Sequence, residues 1–238
     1  MRRAGQPRAN LNNNMCPRTC ASVGVPTHCL RGCTWNPLTE LPDLGWDVLQ
    51  YMMSMCFGHE VSEDAVFSAG SKGIPSTVMG PWRVRFEANP SIAPCLGGYK
   101  SNGMRDEMGY YVGIVSINPN INRSAATITI AHELMHMFIH VILPHLPGEV
   151  ATLKGDEAEM MSHIAEYIMF KSMKDDDVYC RTCIPDHCRV AYWREHEYNV
   201  HYRRNRYKRH LCSPGIRMAC RKMRIERFLD ELLARKGN

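Results

Sequence analysis

His132-Glu133-Leu134-Met135-His136 sets two imidazoles and a carboxylate inside an otherwise apolar run from Ala125 to Leu143. On a helix of 3.6 residues per turn, residues four apart lie about 40° apart around the axis. Both imidazoles then leave one face and can grip one metal ion. Glu133 leaves a neighbouring face, where it can act on a water molecule beside the ion rather than ligate it. Zinc fits this division of labour, with Glu133 as general base and His132 and His136 as ligands. A purely structural reading needs two histidines and a glutamate buried in an apolar helix without a metal, and buried polar groups need partners.

A catalytic zinc site wants a third protein ligand and one open position. Downstream stand His140, His145, Glu149, Glu157, Glu159 and His163. A second helix is expected from Asp156 to about Met173. With Glu157 at 0°, Met161, Ile164 and Ile168 fall within about 40° of it, so Glu157 lies on the apolar stripe. Glu159 falls near −160°, on the side expected to face solvent. A carboxylate on a buried stripe is costly unless it is paired or metal-bound, which singles out Glu157 as third ligand. The alternative is a helix N-terminal carboxylate favoured by the dipole. His140 lies about 80° round from His132 and a turn beyond His136, as a wall or second layer of the site. His163 and Tyr167 are further candidates for that layer or for stabilising an oxyanion.

The elements that must position these residues are legible in outline. Asp43 to Phe57 has helical spacing, with Trp46, Leu49, Met53 and Cys56/Phe57 on one stripe and Asp43 as N-cap. Trp82 to Phe86 alternates as a half-buried strand, with Arg83 and Arg85 outward. Asn89 to Gly109 is rich in Pro, Gly and Asn and reads as loop. Tyr110 to Asn118 reads as a second strand. The motif helix is expected to start at Ser124 and stop before Pro144. Arg224 to Leu233 reads as an amphipathic terminal helix. The fold class that follows is α+β: a small mixed or antiparallel sheet packed on the motif helix and a following helix, with Cys-rich flanks. Residues 1–40 form a Cys-containing lead, 41–178 the central domain, and 179–238 a basic Cys/His-containing extension.

The central stretch, roughly Trp82 to Met173, resembles the zincin metallopeptidases in its strand, its H-E-x-x-H helix and its later helix with a glutamate. The resemblance implies a zinc-dependent peptidase of the gluzincin branch, whose members hold zinc with two His and one Glu. The metzincin branch is excluded, because Ile139 and Ile142 stand where it needs Gly and His. The chain is also similar in layout to SprT-like DNA-associated proteases, although His145-Leu146-Pro147-Gly148 is a poor match to their downstream His-Gly signature. The zincin resemblance implies that strand Tyr110–Asn118 offers a free edge to an extended peptide. A non-catalytic scaffold that binds nucleic acid or protein is the opposed class.

Size and charge bound the rest. The chain has 238 residues, 45% hydrophobic and 22% charged, with a formal net charge of +5. Residues Cys180 to Asn238 hold 15 Lys/Arg against 6 Asp/Glu, and the remainder 14 against 18, so an acidic body carries a basic tail. Within it, residues 201–210 interleave two Tyr with five basic residues, a pattern that suits nucleic acid or an acidic partner. The 11 cysteines include Cys16, Cys20, Cys29 and Cys33 in the lead, and Cys180, Cys183, Cys188 and Cys212 in the tail. The tail set is a candidate second, structural zinc site; disulfides and free thiols are the alternatives. No apolar run is expected to span a membrane and no secretory signal is recognised, so an intracellular location is expected.

Overall fold

The structure is a computed structural model. It describes residues 36–58, 66–68, 71–74, 82–93, 95–107, 109, 111–121, 123–146, 153, 155–176 and 209–234. The expectations for Cys16 to Cys33, for Cys180, Cys183 and Cys188, and for all but the end of the 201–210 strip lie outside these residues.

The first helix, α1, runs Pro37–Phe57 and begins six residues before the expected start. Its cap is Asn36, whose side chain accepts from the Leu38 amide at 3.1 Å while the Glu40 carboxylate accepts from the Asn36 amide at 2.8 Å. These bonds satisfy amides that a helix start leaves without partners, and Pro37 costs nothing in the first turn. Asp43 is therefore interior, and the expected boundary at residue 40 cuts a helix. Gly58 ends α1 at φ 68°, a left-handed position glycine takes without a Cβ penalty. The expected stripe of Trp46, Leu49, Met53, Cys56 and Phe57 is buried.

Five strands form one mixed sheet in the order β1-β2-β3-β5-β4. They are β1 (Val66–Ser68), β2 (Ser71–Ile74), β3 (Trp82–Ala88), β4 (Gly97–Arg105) and β5 (Tyr111–Ile117). β3 and β5 are parallel, and the other neighbours are antiparallel. β5 is thus paired on both sides, and the expected free edge of Tyr110–Asn118 is not there. The edge beside it is β4, in the stretch read as loop. Arg83 also departs from expectation: it is buried and pairs with Asp106 at 2.8 Å.

The motif helix α2 (Arg123–Met137) passes into a π turn at Phe138–Ile142 and a 3-10 turn at Leu143–His145. The Leu143 amide donates to the Phe138 carbonyl, the i→i+5 bond that defines the wide turn. Pro144 lacks an amide hydrogen, and its ring would collide with the residue 140 carbonyl in a regular helix. Eighteen residues here, Ala125–Ile142, are long and apolar enough by composition to cross a membrane, contrary to expectation, but 72% of the window is buried inside the protein. The next helix, α3 (Asp156–Asp176), packs along α2, and α4 (Pro214–Lys222) and α5 (Glu226–Ala234) pack on α3. Ile216, Cys220, Phe228 and Leu229 join the same buried cluster as Leu49, Leu134 and Ile164. Residues 209–234 are therefore built into the core. The coarse expectation, α+β with a mixed sheet on the motif helix, agrees with this architecture.

Candidate metal centre

α2 presents His132 and His136 on one face, with Nε2 atoms 3.1 Å apart. Across from them α3 presents Glu159, its Oε1 3.8 Å from His132 Nε2 and its Oε2 3.6 Å from His136 Nε2. One ligand atom from each of these three side chains lies within 4.8 Å of the others. His132 Nδ1 donates to Glu166 Oε1 at 2.9 Å, which leaves Nε2 as a lone-pair donor aimed at His136 and Glu159. Two imidazole nitrogens and one carboxylate facing a common point suit zinc. The fit is in the donor chemistry: two ring nitrogens 3.1 Å apart, with a carboxylate facing both, are a donor set that could hold a cation.

Glu157, the expected ligand, is elsewhere. Its Oε1 lies 3.3 Å from where a Cβ on Gly215 would stand, in the first turn of α4. The reason is that α3 is covered on two sides. Its apolar stripe packs on α4 and α5, with Met161 Sδ 3.6 Å from Cys220 Sγ. Its row Glu159, His163, Glu166, spaced i, i+4, i+7, faces the histidines of α2. Glu157 lies in the first turn of α3, where the helix dipole favours a carboxylate, the alternative open at the sequence level, and its side chain reaches toward the first turn of α4.

His163 sits between the two carboxylates, with Nε2 3.6 Å from Glu159 Oε1 and Nδ1 3.2 Å from Glu166 Oε2. It also stands edge-on to His132, with ring centroids 5.5 Å apart. His132, His163 and Glu166 form a second group close enough to hold an ion. Those contacts already satisfy one another, and Glu166 is buried, so the group that includes His136 is the one open to a substrate. Tyr167 is not at the site: its hydroxyl donates to Glu231 Oε2 at 3.0 Å, beside Lys171 at 2.8 Å, on the α5 side. Cys212 is an exposed free thiol. Cys220 is buried, and burial pushes its thiol up to about 12, so it is a poor metal ligand.

Glu133 is 7% exposed and faces β4, where Gly97 lets it approach. Burial raises its pKa above the ordinary carboxylate value, against the pull of His132 and His136. A carboxylate raised by burial holds a transferred proton more readily. Glu159 moves the other way, to about 2, chiefly through the His136 imidazole 3.6 Å away. For His132, burial works to lower the pKa, but Glu166 with Glu133 and Glu159 together outweigh it and the net shift is upward.

Glu133 and His136 open onto a cleft of about 700 Å³ that also touches Tyr99, Lys100 and His140. Tyr99 and Lys100 belong to β4, so the outer strand of the sheet forms one wall. Sequence reasoning set Glu159 aside as solvent-facing and did not reach Glu166. Their signal was the spacing of three chemistry-bearing side chains along one helical row. No family model, curated protein or solved structure matches this chain.

Proposed function

We propose that the chain is a zinc-dependent peptidase of zincin type, hydrolysing peptide bonds with Glu133 as general base and His132, His136 and Glu159 as metal ligands. The observation that carries this reading is the meeting of those three side chains beside a buried Glu133, at the mouth of a cleft walled by an edge strand. A zinc ion in this donor set supplies a Lewis acid and brings the pKa of water toward neutrality. Glu133 takes the proton of the attacking water and passes it to the leaving amine. Glu166 fixes the tautomer of His132. β4, rather than β5, offers its outer backbone groups to an extended peptide, a mode that binds main chain with little sequence selectivity. A carboxylate as third ligand favours the gluzincin layout over the SprT-like one, which takes a downstream histidine.

The test is metal content with activity. The zinc-loaded chain is expected to cleave casein, and a chelator is expected to stop it. Glu133→Gln should keep one equivalent of zinc at the helix site and lose hydrolysis. Glu159→Ala should lower zinc affinity at least tenfold, and Glu157→Ala should leave it unchanged. Full activity in Glu133→Gln, or unchanged zinc binding in Glu159→Ala, refutes the assignment.

A further inference from the structure

We propose that His140 is a further catalytic residue, donating a hydrogen bond from its imidazole to the oxygen of the tetrahedral centre formed when water adds to the scissile carbonyl. The inference rests on the peptidase reading and deepens it. Such a reaction develops negative charge on that oxygen, and a positioned donor is worth a large part of the rate.

Tyr167, His163, His140 and Tyr99 suit the role by type, and the fold separates them. Tyr167 is committed to Glu231 behind α3. His163 is held between Glu159 and Glu166 and is not among the residues that line the cleft. His140 lines the cleft together with Glu133 and His136, and its ring is exposed to whatever enters. Tyr99 lines it too, but its hydroxyl is buried, with Met137 Sδ and the ring's own Oη both within 4 Å of where a Gly113 Cβ would stand. A substrate oxygen does not reach it there.

The backbone explains how His140 comes to face the cleft. In a regular α-helix it would stand about 40° round from His136. The π turn at Phe138–Ile142 advances fewer degrees per residue, which brings residue 140 closer in angle to His136. It stands about one turn, roughly 6 Å, further along the axis. A carbonyl whose carbon faces the water held by Glu133 can then lay its oxygen along the cleft toward His140. An imidazole carries at least one N–H in either protonation state, so His140 has a hydrogen to donate. No proton leaves His140 in this step; it donates a hydrogen bond only.

The test compares the zinc-loaded wild type with His140→Ala and His140→Gln, using a fluorogenic peptide cut from casein. His140→Ala is expected to lose about 100-fold in kcat, with KM within twofold and zinc content unchanged. His140→Gln, which keeps an N–H donor, is expected to recover at least tenfold of that loss. A second readout needs no turnover: a phosphonamidate peptide, with its tetrahedral phosphorus oxygens, is expected to bind His140→Ala about 100-fold more weakly. The matching ground-state peptide is expected to bind both proteins alike. An active wild type with an equally active His140→Ala overturns the inference and leaves the peptidase reading standing. A raised KM at unchanged kcat also overturns it, because that pattern describes a cleft wall. A fully zinc-loaded wild type that cleaves no peptide overturns the peptidase reading and this inference with it.

Discussion

Gly97→Ala is expected to disable the site by moving Glu133. A Cβ at residue 97 would stand 2.5 Å from Thr129 Cγ2, 3.0 Å from Glu133 Oε1 and 3.1 Å from Glu133 Cγ. Carbon atoms settle at about 3.5–4.0 Å, so β4 and α2 must separate by roughly 1 Å, or the Thr129 and Glu133 side chains must turn. Overpacking of this kind costs about 1–3 kcal/mol, and a misplacement near 1 Å at a reacting group costs on the order of 100-fold in rate. Urea unfolding and kcat on a fluorogenic peptide read the two effects separately. Gly98→Ala is the control, because a Cβ there meets nothing within 4 Å, and its stability should stay within about 0.5 kcal/mol of wild type. Thr129→Ser removes the methyl that collides. In Gly97→Ala/Thr129→Ser the coupling should return at least 0.5 kcal/mol of stability, while kcat stays low because the contact with Glu133 remains. A Gly97→Ala protein that unfolds and turns over like wild type refutes the close approach of β4 to Glu133.

Glu166→Gln should weaken zinc binding by about 10–100-fold, because Glu166 orients His132 and raises its basicity; competition with a chromophoric chelator measures it, and unchanged affinity excludes the role. The pH dependence of stability should differ in form between the two metal states. In the metal-free protein the raised pKa of His132 gives stability that is present below about 6.5 and is lost as pH rises through the folded value. Glu159, lowered to about 2, gives stability that is present above its ordinary range and is lost as pH falls toward 2. The metal-free melting temperature should therefore fall on both sides of a maximum in the mildly acidic range. With zinc bound, stability should keep rising above neutrality, because the metal takes deprotonated histidine. Parallel pH curves with and without zinc contradict this.

How far the sequence carries is clearest in α3. The helix, its start at Asp156 and its apolar stripe were all legible, and so was the pair His132 and His136 with Glu133 between them. The carboxylate that faces this pair was not, and the failure has a physical cause. An apolar stripe identifies a buried face, but it does not say what lies against it. Glu157 and Glu159 are about 200° apart on the helix, so the choice between them depends on which neighbour packs on which side. α4 and α5, more than fifty residues beyond Glu157, take the apolar face, and this turns Glu159, His163 and Glu166 toward α2. A row of carboxylates and histidine faces inward when the facing helix offers complementary groups, because the two rows then satisfy each other. β4 was hidden for a related reason. Gly97-Gly98-Tyr99-Lys100-Ser101-Asn102-Gly103 has loop composition, and an edge strand held on one side tolerates it. There glycine serves the packing: Gly97 lets the strand sit against Glu133, and Gly113 in β5 leaves room for the Tyr99 ring. Here the loop-like composition of β4 is what the packing needs, since a side chain at residue 97 would hold the strand away from Glu133.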